Sequence, residues 1–189
     1  MECSKCRILP KKIGELILPN LCDKPKILFL LDYPSIEDAN DNKILSGLNK
    51  RSAMIHGLIK DAEIDQNIIS YASVLGCVTK SKSAILTTDY MDCGSRILNL
   101  IEEENIEVVL AFGSIAGRLL INKMIDKIDK VRGKVHDTVI DGTTCIITYA
   151  VSILTDTGCG GCNKNIYPFL VRKDIEEVLK PELVKRKLI

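Results

Sequence analysis

Four cysteines carry the clearest chemical signal in the chain. Cys3-x2-Cys6 lies at the amino terminus and Cys77-x15-Cys93 far downstream, so thiolates from separated segments could enclose one metal centre. Such a centre makes the amino terminus part of the fold rather than a loose tail. A tetrathiolate zinc and an iron-sulfur cluster both accept four cysteine sulfurs, so ligand chemistry alone leaves the two open. The bland alternative treats Cys77 and Cys93 as small buried hydrophobes. A second pair, Cys159 and Cys162, could form a reversible disulfide or supply half a metal site. Its short glycine-rich turn lacks a thioredoxin-like strand and helix, and an incidental loop or an interaction tip also fits it. Cys22 and Cys145 read as isolated, buried or partly buried thiols.

Eight cysteines in an intracellular chain point to metal ligation or redox chemistry more readily than to disulfides. An oxidising compartment would revive the disulfide reading. No apolar run approaches the length of a membrane span, and the first residues are polar and cysteine-bearing. The expected setting is intracellular: the cytoplasm, or the inside of a host cell if the protein is viral. The length of 189 residues suits one domain over residues 1–189, with a two- or three-layer core. Aromatic residues make up only 4% and Trp is absent, so Ile, Leu and Val must fill the core and few rings remain to stack on bases. The net charge of +1 gives no strong overall pull toward phosphate, although a local basic patch could still exist.

The positioning elements follow from hydrophobic pattern. Lys26–Leu31, Ile68–Val78 with its outgoing loop, Glu107–Phe112 and Thr143–Tyr149 read as strands, the nearly continuous apolar runs being those of strands covered on both sides. Helices are expected over Asn49–Asp61, Asp89–Glu104, from Ser114 through Ile121, and Pro168–Leu179, with Pro181 limiting the last. The alternation predicts an α/β fold, a central and mostly parallel four-stranded sheet between two helical layers. Sites in such sheets lie beyond the carboxyl ends of the strands, where strand order changes. That directs attention to Asp32 onward, Ser73–Cys77, Phe112–Ser114 and Ala150 onward.

The cysteines and these loops together resemble the iron-sulfur uracil-DNA glycosylases, a branch of the uracil-DNA glycosylase superfamily. In that family an amino-terminal Cys-x2-Cys joins two later cysteines about fifteen residues apart, and Cys3, Cys6, Cys77 and Cys93 match in order and spacing. The resemblance implies a uracil-DNA-glycosylase-like three-layer fold and a [4Fe-4S] cluster on these four residues, with zinc as the lesser occupant. It covers most of the chain and is strongest at the cysteines.

The site motifs depart from the family pattern. A stretch resembling Gly-Glu-Ala-Pro-Gly followed by Glu-Asp stands here as Leu31-Asp32-Tyr33-Pro34-Ser35-Ile36-Glu37-Asp38. The resemblance makes Asp32 and Asp38 the candidate water-positioning carboxylates, with Tyr33 among the substrate contacts. Where the family stacks a Phe on the extruded base, Leu45 stands, and it loses stacking worth about 1–3 kcal/mol per base. Ser73 replaces an Asn that resembles a pyrimidine-edge reader, so a bidentate amide becomes one hydroxyl. The family's His-Pro-Ser becomes Ala150-Val151-Ser152, which removes the group that stabilises charge developing on the leaving base. His56 and His136 do not restore it from sequence, and Arg132-Gly133 matches a further landmark expected near DNA.

The expectation is a divergent uracil-DNA-glycosylase-like iron-sulfur protein with weakened or lost glycosylase activity. Its retained scaffold would bind DNA or a protein partner in replication or repair, with no membrane role. The alternative is an active DNA glycosylase that hydrolyses the N-glycosidic bond of uracil or another damaged base, with Asp32 or Asp38 positioning water. A metal-stabilised protein partner without nucleic-acid contact is the third reading.

Overall fold

The computed structural model describes residue 6 and residues 12–46, 49–79, 85, 87–155 and 166–189. Along the chain run β1 (Lys12–Ile13), β2 (Ile27–Leu31), α1 (Ile36–Asp41), α2 (Lys50–Asp61), β3 (Ile69–Ser73), β4 (Val78–Thr79) and α3 (Thr87–Glu103). Then come β5 (Val108–Phe112), α4 (Ser114–Ile121), β6 (Val135–Asp137), β7 (Thr144–Thr148), α5 (Val151–Thr155), α6 (Ile166–Asp174) and α7 (Lys180–Lys185).

The central sheet has five strands in the order β3-β2-β5-β7-β6. β3, β2, β5 and β7 pair in parallel, and β6 runs antiparallel to β7 at the edge. The expected four strands are therefore joined by a fifth. β6 carries no apolar run for periodicity to find, since Val135 and Asp137 are exposed and the strand pairs only with β7.

β2, β3 and β5 are buried at every position because helices cover both faces. Alternate residues point to opposite faces. Leu28, Leu30, Val109, Ala111 and Ile147 meet Ile97 and Ile101 of α3 and Ala116 and Leu120 of α4. Phe29, Leu31, Leu110, Phe112 and Ile146 meet Ile55 and Ile59 of α2 and Val171, Ile175 and Leu183 near the carboxyl terminus. Each buried Val, Leu, Ile or Phe among them contributes about 1.5–3 kcal/mol, which makes this sheet the rigid base for the loops at its end.

The amino-terminal segment is tied into this base. β1 pairs antiparallel with β4, with Ile13 opposite Val78, and the Ile17 amide donates to the Gly76 carbonyl at 2.8 Å. Asn20 and Tyr71 exchange backbone hydrogen bonds, so the segment runs along the outer edge of β3 and closes it against further pairing.

Pro181 does not stop the last helix, contrary to expectation. Ile175–Leu179 forms a π turn between α6 and α7, and the Lys180 amide reaches back five residues to the Ile175 carbonyl. A widened turn accommodates a residue with no amide hydrogen, and the helix continues to Lys185. Among the described residues no helix is long and apolar enough to cross a membrane.

Candidate functional site

The chain passes from β2 to β3 on one side and then returns across β2 to β5 on the other. Strand order therefore reverses between β2 and β5, and ligands of open α/β sheets bind at the carboxyl end of such a reversal. Leu31, Ser73, Phe112 and Thr148 end their strands in one row, by the pairings Leu31 with Ser73, Leu31 with Phe112 and Phe112 with Thr148. Asp32, Val74, Gly113 and Tyr149 follow directly.

Asp32 fills the point of reversal. The residue is 8% exposed and its Oδ1 accepts the Ala116 amide at 2.7 Å, at the first turn of α4. Gly113 has φ +113°, and a Cβ there would overlap the Asp32 carboxylate, so this position needs glycine for both backbone and space. Burial pushes the Asp32 carboxyl up to about 7, against the Ala116 and Ile115 amides and the Arg118 charge, which pull it down. Tyr90 on α3 lies in the same field: burial first, then Asp32, Tyr33 and Asp89, push its hydroxyl up to about 12. Tyr33 lines a cavity of about 310 Å³ with Ser35, Glu37, Arg51, Cys77 and Thr79. A larger cavity, about 540 Å³, opens beside Lys26, Glu107 and Thr143 at the opposite ends of the strands and shares none of these residues.

Asp38 has a different place from Asp32. It is 1% exposed, and its Oδ2 accepts the Ser35 amide at 2.8 Å and the Ser35 hydroxyl at 2.9 Å while Ser35 Oγ accepts the Asp38 amide. This is a capping box at the start of α1, legible in the spacing Ser35-x-x-Asp38. Its other oxygen accepts the Leu45 amide at 2.8 Å. Leu45 is 2% exposed with φ +48°, a backbone region that disfavours a branched side chain, and it packs into the core rather than facing a cleft. The structure thus brings Asp38 and Leu45 together through the loop they brace, apart from the Asp32 carboxylate.

Ser73 ends β3 with its hydroxyl donating to the Leu75 carbonyl at 2.6 Å. Ala150 leads into α5, where its carbonyl accepts the Ile153 amide at 3.0 Å, and Ser152 lies half-buried in that five-residue helix. His136 sits on β6, three strand steps from β2, or about 14 Å at ~4.8 Å per step, and its Nε2 lies 2.7 Å from the Val131 carbonyl oxygen. His56 on α2 faces the Tyr71 ring at 5.9 Å. Neither imidazole reaches the Asp32 end of β2.

Arg132 turns inward. Its Nη2 donates to Asp174 Oδ1 at 2.6 Å and to the Leu170 carbonyl at 2.9 Å, and its Nε to Asp174 Oδ2 at 3.2 Å. Thr148, at the end of β7, donates to the same Oδ2 at 2.6 Å. Burial raises the Asp174 carboxyl, against Thr148 and Arg132, which lower it. The Arg132 guanidinium also stands 5.4 Å from the Tyr149 ring centroid, and the Tyr149 hydroxyl donates to Asp129. This network was not anticipated. A signal existed: Asp174 occupies a core position in the run Val171, Asp174, Ile175, Leu179, where only a paired carboxylate survives burial.

Three of the four cysteines are described: Cys6, Cys77 at the turn before β4, and Cys93 on α3. Cys3, Cys159 and Cys162 lie outside the described residues. The Gly76 amide donates to the Cys93 sulfur. Burial first, then Cys6 and more weakly Cys77, push the Cys93 thiol up to about 11, against that amide and the Arg96 charge. Among the described residues, no three His, Cys, Asp or Glu side chains are arranged around a single metal position. The mutual influence of the three thiols places them in one region of the molecule. The donor set is thiolate-rich and suits zinc or iron-sulfur chemistry. Cys145 is buried and Cys22 accepts a Ser70 hydroxyl contact at 3.4 Å, each apart from that group as expected.

No protein-family model matches the chain, and no curated protein matches it either.

Proposed function

We propose that the chain is a divergent uracil-DNA-glycosylase-like protein that holds a [4Fe-4S] cluster on Cys3, Cys6, Cys77 and Cys93 and has weakened or lost glycosylase activity. The approach of Cys6 and Cys77 to the Cys93 sulfur carries this reading. When bound, the cluster would join the amino terminus, the turn before β4 and α3. Helices on both faces of a largely parallel sheet support the three-layer fold of the same family.

Attenuated chemistry follows from the groups around the strand ends. Ala150 has no donor for charge on a leaving base, Leu45 is held in the core, and Asp38 is occupied by its own loop. What remains is a scaffold for DNA or protein binding in replication or repair, inside a reducing compartment. One observation favours the active alternative: a carboxyl raised to about 7 at the strand reversal is in the range for a general base, and Asp32 is that group.

Anaerobic purification with iron and sulfide quantification tests the cluster, with about four of each expected per chain. Zinc alone would refute it. Release and binding assays on uracil-containing and normal DNA test the chemistry: binding without release is expected, and robust uracil release would overturn the attenuation.

A further inference from the structure

We propose that Arg96 is a positioning residue for the cluster assigned above to Cys3, Cys6, Cys77 and Cys93, on which this reading rests: its guanidinium, held against the Gly76 turn, offsets the negative charge of the centre and raises its reduction potential. Gly76 is where the cysteine-bearing segments meet. Its amide donates to the Cys93 sulfur, and its carbonyl accepts the Ile17 amide at 2.8 Å. Its open side is closed by two side chains, since a Cβ there would stand 2.5 Å from Leu16 Cδ1 and 3.1 Å from Arg96 Nη2. The absence of a side chain thus leaves the room in which the guanidinium lies against the backbone just before Cys77.

Cys93 and Arg96 stand three apart on α3, so they share a face of the helix. From that face Arg96 reaches across to the turn, with Nη2 3.5 Å from the Ser73 carbonyl oxygen. Gly76 therefore has the Cys93 sulfur at its amide and the Arg96 cation beside its Cα, and the Arg96 charge acts on that sulfur. Among the described residues no carboxylate forms an ion pair with Arg96, so its field is not neutralised at the source. The residue is half-buried, and water screens it only in part. Four thiolates leave a [4Fe-4S] centre anionic, and reduction adds one more negative charge, so a neighbouring cation favours the reduced form. Groups of this kind, outside the ligands themselves, tune a metal centre through charge and orientation.

The test is a mediated reductive titration of the full-length protein, purified anaerobically and followed by electron paramagnetic resonance, in which one electron passes from the titrant to the cluster. Arg96→Met should lower the reduction constant by about tenfold, which is about 59 mV for one electron. Arg96→Lys, which keeps the charge, should retain most of the parental potential. Arg96→Gln, neutral but polar, should fall with Arg96→Met, and it carries the measurement if Arg96→Met does not hold the cluster. Iron and sulfide content of each protein separates the two levels of the reading. A parent without iron and sulfide refutes the cluster and the role of Arg96 together. A loaded parent whose potential is matched by loaded Arg96→Met or Arg96→Gln overturns the role of Arg96 and leaves the cluster standing. An Arg96→Lys potential as low as that of the neutral variants does the same, because the charge is then not the agent.

Discussion

Gly113 and Asp32 occupy one shared volume at the strand reversal: a Cβ on residue 113 would collide with the carboxylate that caps α4. The glycine lets β5 turn into α4 with φ +113°, and the aspartate then fills the space left by the missing side chain. Gly113→Ala should therefore destabilise the fold by about 1–3 kcal/mol from backbone strain, with a further cost from displacing the carboxylate. Urea denaturation of the single variants and of Asp32→Ala/Gly113→Ala tests the coupling. The double variant should lose clearly less than the sum of the two singles, and strict additivity would refute the shared volume.

Asp32 also sets a pH dependence. Its folded-state pKa, about 7, lies above the ordinary 3.8, so between these values the native state binds more protons than the unfolded chain. The stability contributed by this group is full below the ordinary value and is lost as pH rises through about 7. Asp32→Asn, which cannot ionise, should gain stability relative to the parent as pH rises across that window and show no further change above it. Parallel unfolding curves at all pH values would contradict the assignment.

The strands were legible because burial on both faces writes continuous apolar runs, and Ile27–Leu31 and Val108–Phe112 lie within a residue of their expected bounds. α2 starts within a residue of its expected start, where the Asn49 side chain accepts the Ser52 amide. β6 was not legible, because a three-residue edge strand with exposed Val135 has no pattern of its own. Pro181 misled for a physical reason: a π turn offers a way past proline that a breaker rule does not contain. Within the site, reading Glu37-Asp38 as an acidic pair obscured the competing Ser35-x-x-Asp38 capping box, which is what the fold uses. Arg132 was read as part of a landmark expected near DNA, and its partner forty-two residues away could be named only once α6 was packed on β7.

Arg132 and Asp174 predict a large stability effect. Their side chains are 16% and 3% exposed, and Thr148 and Leu170 complete the bonding. Asp174→Ala leaves the guanidinium and the Thr148 hydroxyl without their carboxylate and should cost roughly 3–5 kcal/mol. Arg132→Met/Asp174→Leu removes both charges and should recover part of that loss. A denaturation midpoint for Asp174→Ala close to the parent would show that the network is solvated.

Asp38 and Leu45 separate a structural from a catalytic carboxylate. Asp38→Ala deletes the capping box and the acceptor for the Leu45 amide, a loss of about 1–3 kcal/mol. Any DNA binding or residual base release should survive this change once the protein is assayed well below its melting temperature. Asp32→Ala should instead remove any residual release. If Asp38→Ala abolishes release from folded protein while Asp32→Ala spares it, the two carboxylates have been assigned the wrong way round.

The cysteines differ enough in setting to predict which ones matter for iron. Cys93 receives the Gly76 amide and feels Cys6 and Cys77, whereas Cys145 lies in β7 with a pKa pushed up to about 12 by burial, then by Asp137. A thiol so placed inside the sheet, 0% exposed, is a packing group. Cys93→Ser and Cys77→Ser should each remove most iron and sulfide from anaerobically purified protein, while Cys145→Ala and Cys22→Ala keep the parental content. Loss of the cluster should also expose residues 12–20 to proteolysis, because the backbone ties at Gly76 and Tyr71 would then hold that segment without the sulfur anchor. Full iron content in Cys93→Ser would remove α3 from the cluster and with it the account of how the two ends of the cysteine pattern meet.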